Sequence, residues 1–185
     1  NAGGTPEILQ EPKGGCLFET LNEQSLAEKL DEISSQTTSI SPEVLKEIRE
    51  IEAKKDFANP RYMELLMPNF YAEHICRIPL QDWPEPVNRS FSKMNQSLYV
   101  TMQGPSEFGI SGKLEKWDRS QDLKNISTPT LVVGAKNDTM DPKHMEEMSK
   151  LVQNGTYLFC PKGSHMDFYD DQKVYFEGLI PFLKK

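Results

Sequence analysis

Two stretches decide the fold: Thr130-Leu131-Val132-Val133-Gly134-Ala135-Lys136-Asn137-Asp138 and Thr156-Tyr157-Leu158-Phe159-Cys160-Pro161-Lys162-Gly163-Ser164-His165. Each opens on a short apolar run rich in β-branched or aromatic residues and bounded by turn formers, the pattern of a buried strand. Such a run suits a parallel strand covered on both faces. Each turn then presents one ionisable side chain, Asp138 after the first run and His165 after the second, 27 residues later. Between them Asp141-Pro142 starts a helix whose apolar face is Met145, Met148, Leu151 and Val152. Gln172 to Leu183 reads as a closing amphipathic helix with Val174, Tyr175, Leu179 and Phe182. Strand, loop, helix, strand, loop, helix is one parallel unit with a final helix, an α/β arrangement.

Upstream the pattern is helical. Residues 1–21, with Gly3-Gly4, Gly14-Gly15 and two prolines, carry no periodicity and read as loop or disordered chain. Asn22 can cap a short helix to about Ile33. Ser41-Pro42 starts a stronger one, with Val44, Leu45, Ile48 and Ile51 at helical spacing. Asn59-Pro60 starts another, running to about Cys76 with an interruption at Pro68. Trp83-Pro84-Glu85-Pro86 reads as an extended turn, and Asn88 to Gln103 as one helix stopped by Gly104-Pro105. No convincing strand falls between residues 22 and 103.

The chain has 185 residues, enough for a sizeable core, and a net charge of -7. That balance repels phosphate backbones and anionic lipid surfaces, so neither nucleic acid nor membrane is an expected partner. Its three cysteines, Cys16, Cys76 and Cys160, show no metal-ligand or disulfide-framework spacing, which points to reduced thiols and a cytoplasmic setting.

An acid and a histidine on rigid strand ends can share a proton-transfer role: the histidine accepts a proton and the carboxylate fixes its tautomer and stabilises the imidazolium. On spacing alone, Asp138 as a turn residue and His165 as a surface histidine is an equally good reading. His74 and His144 are expected at the surface. No two histidines stand at metal-ligand spacing, so neither metal nor cofactor is expected. A nucleophile is harder to find. Gly104-Pro105-Ser106-Glu107-Phe108-Gly109 has one residue too many for a Gly-x-Ser-x-Gly elbow and Gly109-Ile110-Ser111-Gly112 one too few. Neither follows a buried strand. Cys160 reads as a core thiol rather than a nucleophile.

Four stretches together resemble one family: Met102-Gln103-Gly104-Pro105-Ser106-Glu107-Phe108, Leu114-Glu115-Lys116-Trp117-Asp118, Ile126 to Asp138, and Cys160 to Asp171. The sequence is similar to proline iminopeptidases, serine aminopeptidases of the α/β-hydrolase fold, from about Ser41 to Phe182. The resemblance implies a partial α/β-hydrolase fold: a helical cap over residues 22–116, then the last two parallel strands and helices of the core over 117–185. It implies Asp138 and His165 as two members of a catalytic triad. It also implies that Glu107, in the Gly-Pro-x-Glu-Phe motif, binds the free α-amino group of a short peptide. A carboxylate facing a cationic amine in a partly desolvated pocket agrees with that role. Some members carry a second glutamate directly after the triad acid; here that position is Thr139, with Asp141 a conceivable substitute.

The family's oxyanion loop and serine elbow have no counterpart in this sequence, so the chain is expected to supply acid, base and cap but no nucleophile, and to be inactive alone. Two parallel strands are too few for a stable sheet in water. A second polypeptide carrying the nucleophile half, or self-association, is therefore expected. The alternative is a non-catalytic, truncated hydrolase that binds peptides or serves as an interaction module.

Overall fold

The computed structural model describes residues 40–184. The loop expected over 1–21 and the helix expected from Asn22 lie outside the described residues.

Helix α1 (Pro42–Ala53) turns Ile48 and Ile51 inward. Helix α2 (Pro60–Leu66) begins as its sequence requires: the Asn59 side chain accepts the Arg61 amide at 3.0 Å and Pro60 fills the first turn. Tyr62, Leu65 and Leu66 are buried. The interruption at Pro68 takes a specific form. Residues Met67–Tyr71 make one wide π-helical turn, and α-geometry resumes in the short α3 (Ala72–His74). A wide turn accommodates a residue that has no N–H and whose ring clashes in a regular helix. Phe70, Tyr71, His74, Ile75 and Cys76 all point into the core.

The helix expected over 88–103 is two helices, and the expected extended turn at Trp83–Pro86 is shorter. Pro84 caps α4 (Glu85–Ser92), and α5 (Gln96–Met102) follows after a break. Asn95 leaves helical geometry, and its side chain accepts the Leu98 amide at 3.1 Å, an N-cap that outcompetes continuation. Ser90 and Ser92 donate back to the carbonyls of Val87 and Arg89, loosening the end of α4. Trp83 stacks on Phe91 with centroids 5.7 Å apart. After α5 the chain reverses at Gly104, whose φ of 118° is closed to side-chain-bearing residues.

Strands β1 (Thr130–Ala135) and β2 (Gly155–Cys160) pair in parallel, Thr130 opposite Gly155 through Ala135 opposite Cys160. Helix α6 (Pro142–Leu151) connects them; α7 (Asp167–Asp170) and α8 (Gln172–Leu183) follow. Alternation along β2 places the helices. Tyr157 donates its hydroxyl to the Pro142 carbonyl at 2.7 Å, so its face meets α6. Leu158 faces the other way, its methyls 2.6 Å from where a Cβ on Gly178 would stand, so that face meets α8. Each face thus carries one helix. Burial is nonetheless partial: Leu131, Val132 and Val133 are half-buried and Phe159 is 42% exposed. Among the described residues the sheet has only these two strands, so each has an edge that no further strand covers.

Candidate functional site

The two strand-end loops are tied together before either ionisable group is placed. The Lys136 amide donates to the Cys160 carbonyl at 3.1 Å, extending the ladder past β1. Asn137 then donates both its backbone N–H (3.0 Å) and its side-chain Nδ2–H (3.1 Å) to the carbonyl of Gly163. Gly163 is the residue that permits this approach: a Cβ there would stand 2.6 Å from the Cβ of Asp167 and about as close to Cys160 and Ala135, at 3.1 and 3.2 Å.

These ties leave His165 Nδ1 3.0 Å from Asp138 Oδ1. The same carboxylate oxygen accepts Thr139 Oγ1–H (3.2 Å) and the Met140 amide (3.3 Å). A carboxylate in that position accepts the Nδ1 proton and leaves Nε2 as the basic nitrogen. The Asp138 side chain is 10% exposed and that of His165 38%. The hydrogen bond to Asp138 raises the His165 pKa above the ordinary histidine value. Burial opposes it, and the charges of Asp138, Glu107 and Asp167 add to it.

Glu107 sits on a loop held from beneath. Ser106, 1% exposed, accepts the Phe108 amide at 3.2 Å and pairs with the Tyr62 hydroxyl at 2.9 Å; Tyr62 in turn donates to Glu52 Oε1 at 2.7 Å. Burial pushes the Glu52 carboxyl above its usual range. The Glu107 amide donates to the Tyr71 hydroxyl (3.1 Å), and Tyr99 donates its hydroxyl to Glu107 Oε1 (2.5 Å). Desolvation raises the pKa of both tyrosines. The structure therefore brings Asp138 into contact with His165, and the charge of Glu107 is one of the smaller contributions that raise the pKa of that imidazole. Asp141 caps α6, its Oδ1 accepting the Lys143 amide at 2.9 Å.

Two further residues take part that the sequence reading left aside. Asn137 is one. His74 is the other; expected at the surface, it is 6% exposed. Its Nδ1 lies 2.9 Å from the Asn137 carbonyl. It is buried with Phe70, Tyr71 and Ile75, which lie on the same inward face once the wide turn at Met67–Tyr71 has shifted the helix. His144 is half-buried rather than at the surface. Cys160 is buried, and desolvation beside Asp167 pushes its thiol up to about 12, the opposite of an activated thiolate.

No family model matches the chain. Curated relatives do. The chain is 61% identical over 144 residues to a protein of Flavobacterium johnsoniae named proline iminopeptidase, covering 78% of this chain and 48% of that one. It is 59% identical over 147 residues to the protein of that name from Elizabethkingia meningoseptica, covering 78% and 49%. Over these residues the chain is similar to the proline iminopeptidases. It spans about half the length of the curated relatives it matches. Among solved structures it superposes on the crystal structure of VinJ with a TM-score of 0.74 at 27% identity, over 84% of this chain and 52% of that one. The proline iminopeptidase of Mycobacterium smegmatis gives 0.62 at 23% identity, over 85% and 52%. The helices and two-stranded parallel sheet described above are part of an α/β-hydrolase fold.

Proposed function

We propose that this chain supplies the acid, the base and the substrate-recognising cap of a proline iminopeptidase-like serine hydrolase, which releases proline or another N-terminal residue from short peptides. The observation that carries the reading is the Asp138–His165 pair, His165 Nδ1 lying 3.0 Å from Asp138 Oδ1. In this reading His165 Nε2 takes the proton of a serine hydroxyl as it attacks the scissile carbonyl, then returns it to the leaving amine. Asp138 holds the tautomer and stabilises the imidazolium. Glu107, with Tyr99 on one oxygen, holds the free α-amino group of the substrate and thereby fixes which peptide bond reaches the base.

The serine and the oxyanion donors come from sequence outside this chain, since no Gly-x-Ser-x-Gly turn occurs within it. The outer edges of β1 and β2, unpaired among the described residues, are where further strands of a hydrolase core would pair, from a second polypeptide or from self-association. In this reading residues 22–116 act as cap and 117–185 as core, in a cytoplasmic protein. Among the described residues no helix is long and apolar enough to cross a membrane.

Hydrolysis of a prolyl-chromophore substrate tests the reading. The chain alone is expected to show no turnover, and turnover is expected when a nucleophile-bearing N-terminal half of a relative is added. Strong turnover by the chain alone would overturn the missing-nucleophile assignment. Peptide binding with no turnover in either case would favour a non-catalytic peptide-binding module.

A further inference from the structure

The segment 60–76 runs from the floor of the Glu107 loop to the two strand-end loops, and its last turn touches both of the latter. The His165 amide donates to the His74 carbonyl at 3.0 Å, and the Met166 amide to the Ile75 carbonyl at 2.9 Å. Two consecutive carbonyls thus receive two consecutive amides. Ser164 Oγ–H adds a third contact, to Ile75 O at 2.9 Å. On the other side His74 Nδ1 meets the carbonyl of Asn137 at 2.9 Å.

We propose that His74 is the positioning residue for the acid–base pair: its imidazole holds the peptide that leads into Asp138 while its own carbonyl holds the amide of His165. This rests on the reading of Asp138 and His165 as that pair. The tautomer follows from the surroundings. The acceptor at Nδ1 is a carbonyl, so Nδ1 carries the proton. Nε2 is buried with no hydrogen-bond partner among the described residues, and the ring packs on Phe70 with centroids 5.0 Å apart. A second N–H at Nε2 would be stranded there.

The wide turn at Met67–Tyr71 supplies the phase. Its extra residue shifts everything after it by one position, about 100° of helix rotation, and with that offset Phe70, Tyr71 and His74 all lie in the core. A one-turn π-bulge beside a functional site is a recurrent association. Here its effect is to put one side chain and one carbonyl of the same residue against two different loops.

The test uses nitrogen-15 NMR on the full 185-residue chain. Wild-type His74 is expected as the Nδ1–H tautomer; the Nε2–H tautomer would overturn the proposal. The second readout is the His165 titration midpoint, which the geometry of its bond to Asp138 sets; Asp138, Glu107 and Asp167, the charges acting on that ring, are unchanged in the variants. His74→Asn places an amide N–H near the Nδ1 position and is expected to keep the wild-type midpoint. His74→Gln places its amide one bond further out, and is expected to bring the midpoint down toward the ordinary value of about 6.5. A folded His74→Gln chain with the wild-type midpoint overturns the proposal. Where His74→Gln does not fold by circular dichroism, His74→Asn decides: retention of the midpoint supports the clamp, and a lowered midpoint in a folded chain overturns it. None of these readouts depends on turnover, so failure of the hydrolase reading and failure of the clamp are separable.

Discussion

Asn137 donates its backbone and its side-chain N–H to one carbonyl, that of Gly163, at 3.0 and 3.1 Å. The loop that ends in the acid and the loop that ends in the base are therefore fastened one residue before Asp138 and two before His165. Neither ionisable group has to search for the other.

The fastening depends on Gly163 having no side chain. Gly163→Ala would drive a Cβ to 2.6 Å from the Cβ of Asp167, with Cys160 and Ala135 closing the other directions. None of the three is the far end of a flexible chain. Denaturant unfolding is expected to show a loss of about 1–3 kcal/mol, the usual penalty for overpacking a filled core. An unchanged midpoint of unfolding would mean that the loop yields at no cost and that the fastening is weaker than the distances imply.

Asp138→Asn should lower the His165 titration midpoint, because the hydrogen bond that His165 Nδ1–H donates to Asp138 is the first cause of its elevation. The sign carries over to stability. A histidine whose folded pKa is raised contributes stability that is fully present below its unfolded pKa, about 6.5, and that is lost as pH rises through the folded pKa. Wild type should therefore exceed Asp138→Asn most at about pH 5–6, with the gap narrowing at higher pH. With the imidazole more than a third exposed, the gap should stay within about 1 kcal/mol. Paired unfolding curves at pH 5.5 and 8.5 check it; a gap that widens with pH contradicts the assignment.

Glu107 should distinguish charged from blocked N-termini. Calorimetry with a short prolyl peptide and its N-acetylated form is expected to show binding of the free amine only. In Glu107→Gln the free peptide should weaken by roughly tenfold to a hundredfold, the ~1.5–3 kcal/mol of a charge-assisted hydrogen bond. Equal binding of both peptides by wild type would remove Glu107 from amine recognition.

Much of this was legible in the sequence because local signals agreed with the fold. Asn59-Pro60 and Asp141-Pro142 start helices, and the two apolar runs form the paired strands in register. The failures have local causes too. At Asn95 an N-cap competes with helix continuation, and apolar spacing alone cannot say which prevails. At His74 a titratable residue near a helix end reads as surface unless its neighbours Phe70 and Tyr71 are known to face inward, and a π-turn makes that phase hard to foresee. The dependence of Asp138 on Asn137 and Gly163 is tertiary and leaves no pattern along the chain.

Asp167 gives a pH dependence of its own, separate from that of His165. It is 7% exposed, and desolvation pushes its carboxyl from 3.8 up to about 6. A carboxyl whose folded pKa is raised holds its proton more tightly in the folded chain, so the folded state binds more protons between the two values. Stability then falls as pH rises from about 4 to about 6, and the cost persists above that. Asn cannot ionise and can still accept a hydrogen bond from the Cys160 thiol. Asp167→Asn is therefore expected to match wild type near pH 4 and to exceed it at pH 7 by something on the order of 2 kcal/mol, since each pKa unit corresponds to about 1.4 kcal/mol. Urea unfolding at the two pH values measures it. A variant less stable than wild type at pH 7 would mean that the Asp167 carboxylate is paired in the folded chain by a group that compensates its burial.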